Sequence, residues 1–380
     1  MKKSFAVIVF LFLCVKVNYS QVYIVVDKFP TEFLRKQPIC IAGDFNGWNP
    51  GKDTLLRDNT GKYSIVLFLS PGHYEYKFTG GSWNQAEGNI EESFAANRKL
   101  LVNGKKDTIY NQILGWENTA IVKSHTKLPT VFLLNDSFPI PGLNNTPRIW
   151  ICLPESYYDN PRKKYNTLYM FDGNNLFDKF YAYNEEWQID ETLHFLQKAN
   201  RDPGCIVIGI DGGDHNRISQ LTPYKNSKYG GGQGNSTLDY LVKTLKPFID
   251  STYRTRSQRI STAIGGASLG GLLAFYGALT YPEIFSKVLV FSPSFWWNKQ
   301  IYNDTEKAKI PKNTKIAFLV GGNEEPSDEV VTKTREMYNL MVKKGFTQNQ
   351  CRYKYFPDGT HSESFWGREF ANNYLWLWDK

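Results

Sequence analysis

Ser268 stands in Gly266-Ala267-Ser268-Leu269-Gly270, a G-x-S-x-G pattern. The strand-like run Ser261 to Gly265 precedes it, and a helix-capable run of small residues, Leu272 to Leu279, follows. A serine hydroxyl becomes a useful nucleophile when a base removes its proton. A strand, a sharp turn and a helix around it would present that hydroxyl at the end of a sheet. Such a turn needs small neighbours. Gly266 and Gly270 supply them, with Gly265 and Gly271 beyond. Histidine is the usual base, because its pKa lies near neutrality. The chain has five histidines. His73 falls in a β-rich stretch, His125 in a polar connecting stretch, His194 on an amphipathic helical run, and His215 in a loop before the serine. Only His361, in Gly359-Thr360-His361-Ser362-Glu363, follows both the serine and the last strand-like run. The order serine, acid, histidine therefore selects it.

The acid must fall between them, just after a strand. Val320-Gly321-Gly322-Asn323-Glu324-Glu325 offers Glu324, with Glu325 adjacent and Asp328 a third choice. Its task is to accept from the imidazole N–H and to stabilise the imidazolium. A tetrahedral oxyanion needs two backbone donors. Leu269 N–H is the first. The second is expected from Asp172-Gly173-Asn174-Asn175, where Gly173 permits close approach, and Asn174 N–H is the choice. The side chains of Asn174 or Asn175 could face substrate instead. The aromatic run Phe295-Trp296-Trp297 could wall a pocket or pack the core, and Arg217 could contact a carboxylate or a sugar hydroxyl.

Positioning these groups requires a sheet. Val131–Leu134, Arg148–Leu153, Asn166–Phe171, Cys205–Ile210, Val288–Phe291, Ile316–Val320 and Cys351–Phe356 read as strands. Trp187–Lys198, Leu238–Tyr253 and Glu329–Lys344 read as helices between them. This alternation predicts an α/β fold, a doubly wound, mostly parallel sheet with helices on both faces. Ligands in such sheets bind at the carboxyl ends of the strands, and each chosen residue follows a strand.

Residues 22 to about 110 read differently. Val22–Val26, Ile39–Ala42, Tyr63–Leu69 and Tyr74–Phe78 are short strand-like runs separated by turn signals at Gly43–Gly47, Asn59–Gly61 and Pro71-Gly72. This spacing predicts an all-β, immunoglobulin-like sandwich. The organisation expected is a leader at 1–20, a sandwich at 21–115, a linker at 116–129 and an α/β domain at 130–380.

Two resemblances follow. Gly43-Asp44-Phe45-Asn46-Gly47-Trp48-Asn49-Pro50, Tyr74–Phe78, Gly81-Ser82-Trp83 and Asn97-Arg98 resemble starch- and glycogen-binding modules over about 85 residues. The resemblance implies a sugar platform of Trp48, Lys77, Trp83 and Asn97, with Glu87 a weaker member. Indole faces stack on pyranose rings, and Lys and Asn donate to hydroxyls. From about residue 130, Phe171-Asp172-Gly173-Asn174-Asn175-Leu176-Phe177, Arg217 with Leu221-Thr222-Pro223, Gly265–Gly271, Phe291–Trp297 and Gly359–Glu363 resemble the esterase-D-type esterases. That group includes feruloyl, acetylxylan and enterochelin esterases and S-formylglutathione hydrolases. The resemblance implies an α/β-hydrolase fold and ester hydrolysis without metal or other cofactor, through the triad above. Trp296, Trp297, Arg217 and Asn175 are then the candidate substrate contacts. Ala267 and Ser362 depart from the residues common in that group.

Composition narrows the partners. The formal charge is +8, with Lys and Arg scattered among Asp and Glu, so no basic tract points to nucleic acid. Lys2, Lys3 and the apolar run Phe5 to Val15 read as an export leader cleaved near Ser20-Gln21, and no later run is apolar enough for a membrane span. Cys14 leaves with the leader. Cys40, Cys152, Cys205 and Cys351 are widely spaced and read as buried thiols rather than a zinc set. The expected function is an exported (periplasmic or extracellular) serine esterase acting on feruloyl or acetyl esters of polysaccharide or oligosaccharide. The alternatives are a trilactone siderophore esterase and a glycan-binding surface protein with an inactive hydrolase domain.

Overall fold

The computed structural model describes residues 19–29, 38–88, 95–117, 125–135, 146–202, 204–212, 216–324 and 329–379. The leader run 1–18, His215, Glu325 and Asp328 lie outside the described residues. The chain divides into two compact units, Met1–Val122 and Lys123–Lys380.

The first unit contains two four-stranded sheets. One runs Leu56–Arg57, Tyr63–Leu69, Ser20–Lys28, Asp107–Gln112; the other runs Asp53–Thr54, Cys40–Gly43, Gly72–Thr79, Arg98–Val102. Strand alternation explains the core. Val22, Ile24 and Val26 point inward from one sheet and pack in one cluster with Ile41, Phe78, Leu100 and Val102 of the other. Trp116, expected to open the linker, is part of the first unit's described structure. Gly115–Trp116 pairs with Glu87–Gly88, and Trp116 is buried. At the other end, the N–H groups of Thr126 and Leu128 donate to the carboxylates of Asp178 and Asp190, so these residues are held by the second unit.

The second unit is built on an eight-stranded sheet. Its strands are β1 (Val131–Asn135), β2 (Ile149–Cys152), β3 (Asn166–Phe171), β4 (Cys205–Ile210), β5 (Thr262–Ala267), β6 (Lys287–Phe291), β7 (Lys315–Asn323) and β8 (Cys351–Thr360). Their spatial order is β1-β2-β4-β3-β5-β6-β7-β8. β2 is antiparallel to both neighbours, and β4 through β8 run parallel. The helices are α1 (Ile189–Lys198), α2 (Arg217–Leu221), α3 (Gly234–Tyr240), α4 (Lys246–Thr252), α5 (Leu269–Thr280), α6 (Gln300–Lys307), α7 (Glu329–Lys343) and α8 (Glu363–Trp378). The helix expected at Leu238–Tyr253 begins earlier, at Gly234, and is broken by a π-helical turn over Leu241–Leu245. Two apolar clusters show why the strands read as continuous apolar runs, being buried on both faces. Ile264, Val288 and Phe318 pack with α3, α5 and α7 residues; Ala263, Leu289 and Leu319 pack with Leu193 of α1 and Phe370 of α8.

The turn from β5 into α5 is tight. A Cβ on Gly266 would stand 2.7 Å from the carbonyl carbon of Gly270 and 2.8 Å from its oxygen, both backbone atoms. Gly266→Ala is therefore expected to destabilise the protein by ~2 kcal/mol through overpacking. Urea unfolding checks this, with an unchanged midpoint as the contrary result.

Candidate active site

Six side chains that immediately follow strands gather at one edge of the sheet. Asp172 follows β3, Asp211 β4, Ser268 β5, Ser292 β6, Glu324 β7 and His361 β8. Ser268 has φ 55° and ψ −122°. A residue with a Cβ rarely adopts this backbone, which costs on the order of 1–3 kcal/mol. Hydrogen bonds hold it there. Ser268 N–H donates to Phe291 O at 3.0 Å, and its carbonyl accepts from Leu272 at 3.0 Å and Ser294 at 3.1 Å. The Ser268 hydroxyl is partly exposed and pairs with Ser294 Oγ at 3.3 Å. Leu269 is the first residue of α5, so its N–H has no acceptor within the helix and sits at the positive end of the helix dipole.

His361 and Glu324 meet through two glycines. The backbones of Gly321 on β7 and Gly359 on β8 approach so closely that a Cβ on Gly321 would overlap Gly359. The loops leaving these strands are thereby brought together. His361 Nδ1 lies 3.0 Å from Glu324 Oε2. The Glu324 side chain is fully buried, while the His361 side chain is 31 % exposed. Glu324 Oε1 accepts from Gly321 N–H at 2.7 Å and from the Ser292 hydroxyl. Ser292 Oγ in turn accepts from Trp366 Nε1 at 2.9 Å. The edge of one of the two aromatic planes meets the face of the other where Trp366 packs on His361, centroids 4.9 Å apart. Sequence reasoning missed Ser292 and Trp366 as partners of this pair. Ser292 carried a signal, since it too follows a strand; Trp366, on α8, carried none. Ser362 caps α8, accepting from Phe365 N–H at 3.3 Å.

The loop after β3 is tied down on several sides. Asp172 has φ 58° and opens a short 3-10 turn, Gly173–Asn175. Gly173 permits its approach to β4, where a Cβ would stand 2.6 Å from Gly209 C. Asn174 is half-buried. Asn175 is not a free substrate contact. Its Nδ2 donates to Glu363 Oε1 at 3.0 Å, and its Oδ1 accepts from Tyr183 N–H at 2.9 Å and Asn174 Nδ2 at 2.6 Å. Burial leaves those polar atoms needing internal partners, which is why they are consumed. Arg217 is likewise engaged, in a two-point fork on Asp172 with Nε–Oδ1 2.6 Å and Nη2–Oδ2 2.8 Å. Trp297 belongs to the core, buried with its Nε1 donating to Tyr224 O at 2.8 Å. Trp296 is half-buried and meets Tyr229 edge-on, centroids 6.1 Å apart. Among the other described histidines, His125 lies 2.7 Å from Asp178 Oδ2 and His194 2.7 Å from Glu155 Oε1, and His73 is exposed on its strand.

In the first unit, the two tryptophans come together. Trp48 and Trp83 are half-buried, with ring centroids 6.2 Å apart and planes inclined by 32°. Asp44 links this pair to Asn97. Its Oδ1 accepts from Trp48 Nε1 at 3.2 Å and its Oδ2 from Glu75 N–H at 2.9 Å, and Glu75 Oε2 accepts from exposed Asn97 at 3.2 Å. Lys77 does not join them. It is buried, and its ammonium pairs with Glu117 at 3.2 Å. Glu87 is also buried, gripped by Arg98 at 2.7–3.0 Å and by Phe78 N–H at 2.9 Å. A buried charge needs a partner, and both are structural for that reason. Cys40, Cys152, Cys205 and Cys351 are free and buried. Among the described residues no helix is long and apolar enough to cross a membrane.

Comparisons with known proteins bear on the family and the fold. A family model described as Putative esterase matches residues 140–377. Among curated proteins, uncharacterized protein YbbA of Bacillus subtilis is 26 % identical over 244 residues, covering 61 % of this chain and 93 % of that one. An iron(III) salmochelin esterase of Escherichia coli is 26 % identical over 176 residues, covering 42 % of this chain and 39 % of that one. Among solved structures, a ferulic acid esterase matches at TM-score 0.52 and 16 % identity, covering 65 % of this chain and 98 % of that one. The enterobactin esterase of Shigella flexneri matches at TM-score 0.54 and 15 % identity, covering 94 % and 92 %. At these identities the structural likeness speaks to fold. With its model matched from residue 140 to 377 and the α/β-hydrolase sheet around Ser268, the chain belongs to the esterase family.

Proposed function

We propose that this esterase is a serine hydrolase in which Ser268, His361 and Glu324 form the triad, acting on feruloyl or acetyl esters of polysaccharide or oligosaccharide. One observation carries the chemistry: a serine held in a strained turn at the sheet edge where the His361–Glu324 pair also stands. Ser268 Oγ attacks the ester carbonyl as His361 Nε2 takes its proton. Glu324 holds Nδ1 protonated and stabilises the imidazolium. The N–H groups of Leu269 and Asn174 receive the oxyanion. His361 then protonates the leaving alcohol, and water repeats the sequence on the acyl-enzyme. Trp296 and Tyr229 offer aromatic surface for an acyl or sugar ring.

The Trp48–Trp83 pair with Asn97 supports a glycan substrate. A tether of this kind raises the local concentration of ester without new contacts at the site. The leader-like run Phe5 to Val15 behind Lys2 and Lys3 supports export. A second reading, hydrolysis of a trilactone siderophore, is favoured by a different observation. The likeness to the enterobactin esterase extends over 94 % of this chain, so it takes in the first unit as well.

Rates on acetylated xylan, a feruloylated xylan oligosaccharide and a ferric trilactone separate these readings, with Ser268→Ala as the blank. Highest kcat/KM on a glycan ester is the expected result; highest on the trilactone favours the second reading. The tether has its own check. Trp48→Ala and Trp83→Ala are each expected to weaken retention on insoluble xylan or starch by about 5-fold, the loss of one stacking contact. Unchanged retention in both variants contradicts the platform.

A further inference from the structure

Beside the triad, a second set of polar groups joins loops far apart in sequence. Glu363 stands two residues after His361 and opens α8. Its Oε1 accepts from Asn175 Nδ2 at 3.0 Å, across 188 residues of chain. Asn175 ends the turn that presents Asn174 N–H. The other end of that turn is Asp172, fixed by the Arg217 fork. The loop expected to supply the second oxyanion donor is thus clamped twice, by Arg217 at its first residue and by Glu363 at its last. Glu185 closes the far side, its Oε2 accepting from Ser364 N–H at 3.1 Å.

The surroundings of Glu363 are mixed in charge. Burial comes first and pushes its carboxyl up to about 7. The carboxylates of Asp172 and Glu185 act in the same direction, and His361 opposes them. Arg217 also feels the charge of Glu363.

We propose that Glu363 is a positioning residue, which couples the histidine loop to the oxyanion loop through Asn175. The proposal rests on the roles given above to Ser268, His361 and Asn174. The reason for expecting a large effect is geometric: a displacement of ~1 Å at a reacting group can cost ~10²-fold in rate.

The test measures kcat and KM on p-nitrophenyl acetate across the neutral pH range for wild type, Glu363→Ala and Glu363→Gln. Glu363→Ala frees the oxyanion loop and is expected to lower kcat about 30- to 100-fold, with KM changed less than about 3-fold. In Glu363→Gln the amide oxygen still accepts from Asn175, so most of kcat returns. If Glu363→Ala does not fold, Asn175→Ala, which removes the same bond from its other end, takes its place. A kcat for the alanine variant within about 3-fold of wild type, or a kcat for Glu363→Gln no higher than that of Glu363→Ala, overturns the proposal. Ser268→Ala separates the two levels. If it remains active, the nucleophile reading fails first; if it is inactive while the Glu363 variants match wild type, this inference alone falls.

Discussion

The close approach of Gly266 to Gly270 governs the whole hydrolase unit. It lets β5 turn directly into α5, and the cost of that turn is carried by one residue, Ser268, at φ 55° and ψ −122°. The surrounding sheet over-determines this conformation. β5 lies between β3 and β6, and Ser268 itself bonds to Phe291 at the end of β6. A strain on the order of 1–3 kcal/mol persists only where the neighbours enforce it, and such strain gathers at functional positions. The consequence is a hydroxyl at the sheet edge beside the first free N–H of a helix. In the proposed mechanism, attack and oxyanion stabilisation share this one backbone feature.

A second pair of glycines plays the matching part for base and acid. Gly321 and Gly359 draw the ends of β7 and β8 together, and the side chains of Glu324 and His361 meet as a result. The carboxylate is fully buried, yet each oxygen has a partner: Gly321 N–H and the Ser292 hydroxyl on one, His361 Nδ1 on the other. A buried carboxylate without such partners would be costly and mispositioned. The two glycine contacts therefore set geometry that no single hydrogen bond could set alone.

Much of this was legible from residue types alone. Strands β3 to β7 are apolar runs buried on both faces, and such runs stand out in sequence. Ser268, Glu324 and His361 could be chosen because each follows a strand in the required order. Longer-range partners were hidden. Asn175 and Arg217 looked like free polar contacts, since nothing local announces Glu363 or Asp172 as their partners. Trp296 and Trp297 are adjacent and chemically identical, yet one is half-buried and the other core, a difference decided by the packing of Tyr224 and Tyr229. In the sandwich, Trp48 and Trp83, read from one motif-based set, stand with ring centroids 6.2 Å apart, whereas Lys77 of the same set is drawn to Glu117, 40 residues away in the stretch expected to be linker.

The central claim is that the strained serine is the nucleophile. Covalent trapping tests it most directly. The protein is incubated with an aryl phosphonate that phosphonylates activated serines with loss of the aryloxide, and intact mass and peptide mapping follow. One adduct on Ser268 is predicted in the wild-type protein, absent in Ser268→Ala and strongly slowed in His361→Ala. An adduct on another residue with Ser268 unmodified, or equal labelling of Ser268→Ala, would contradict the account.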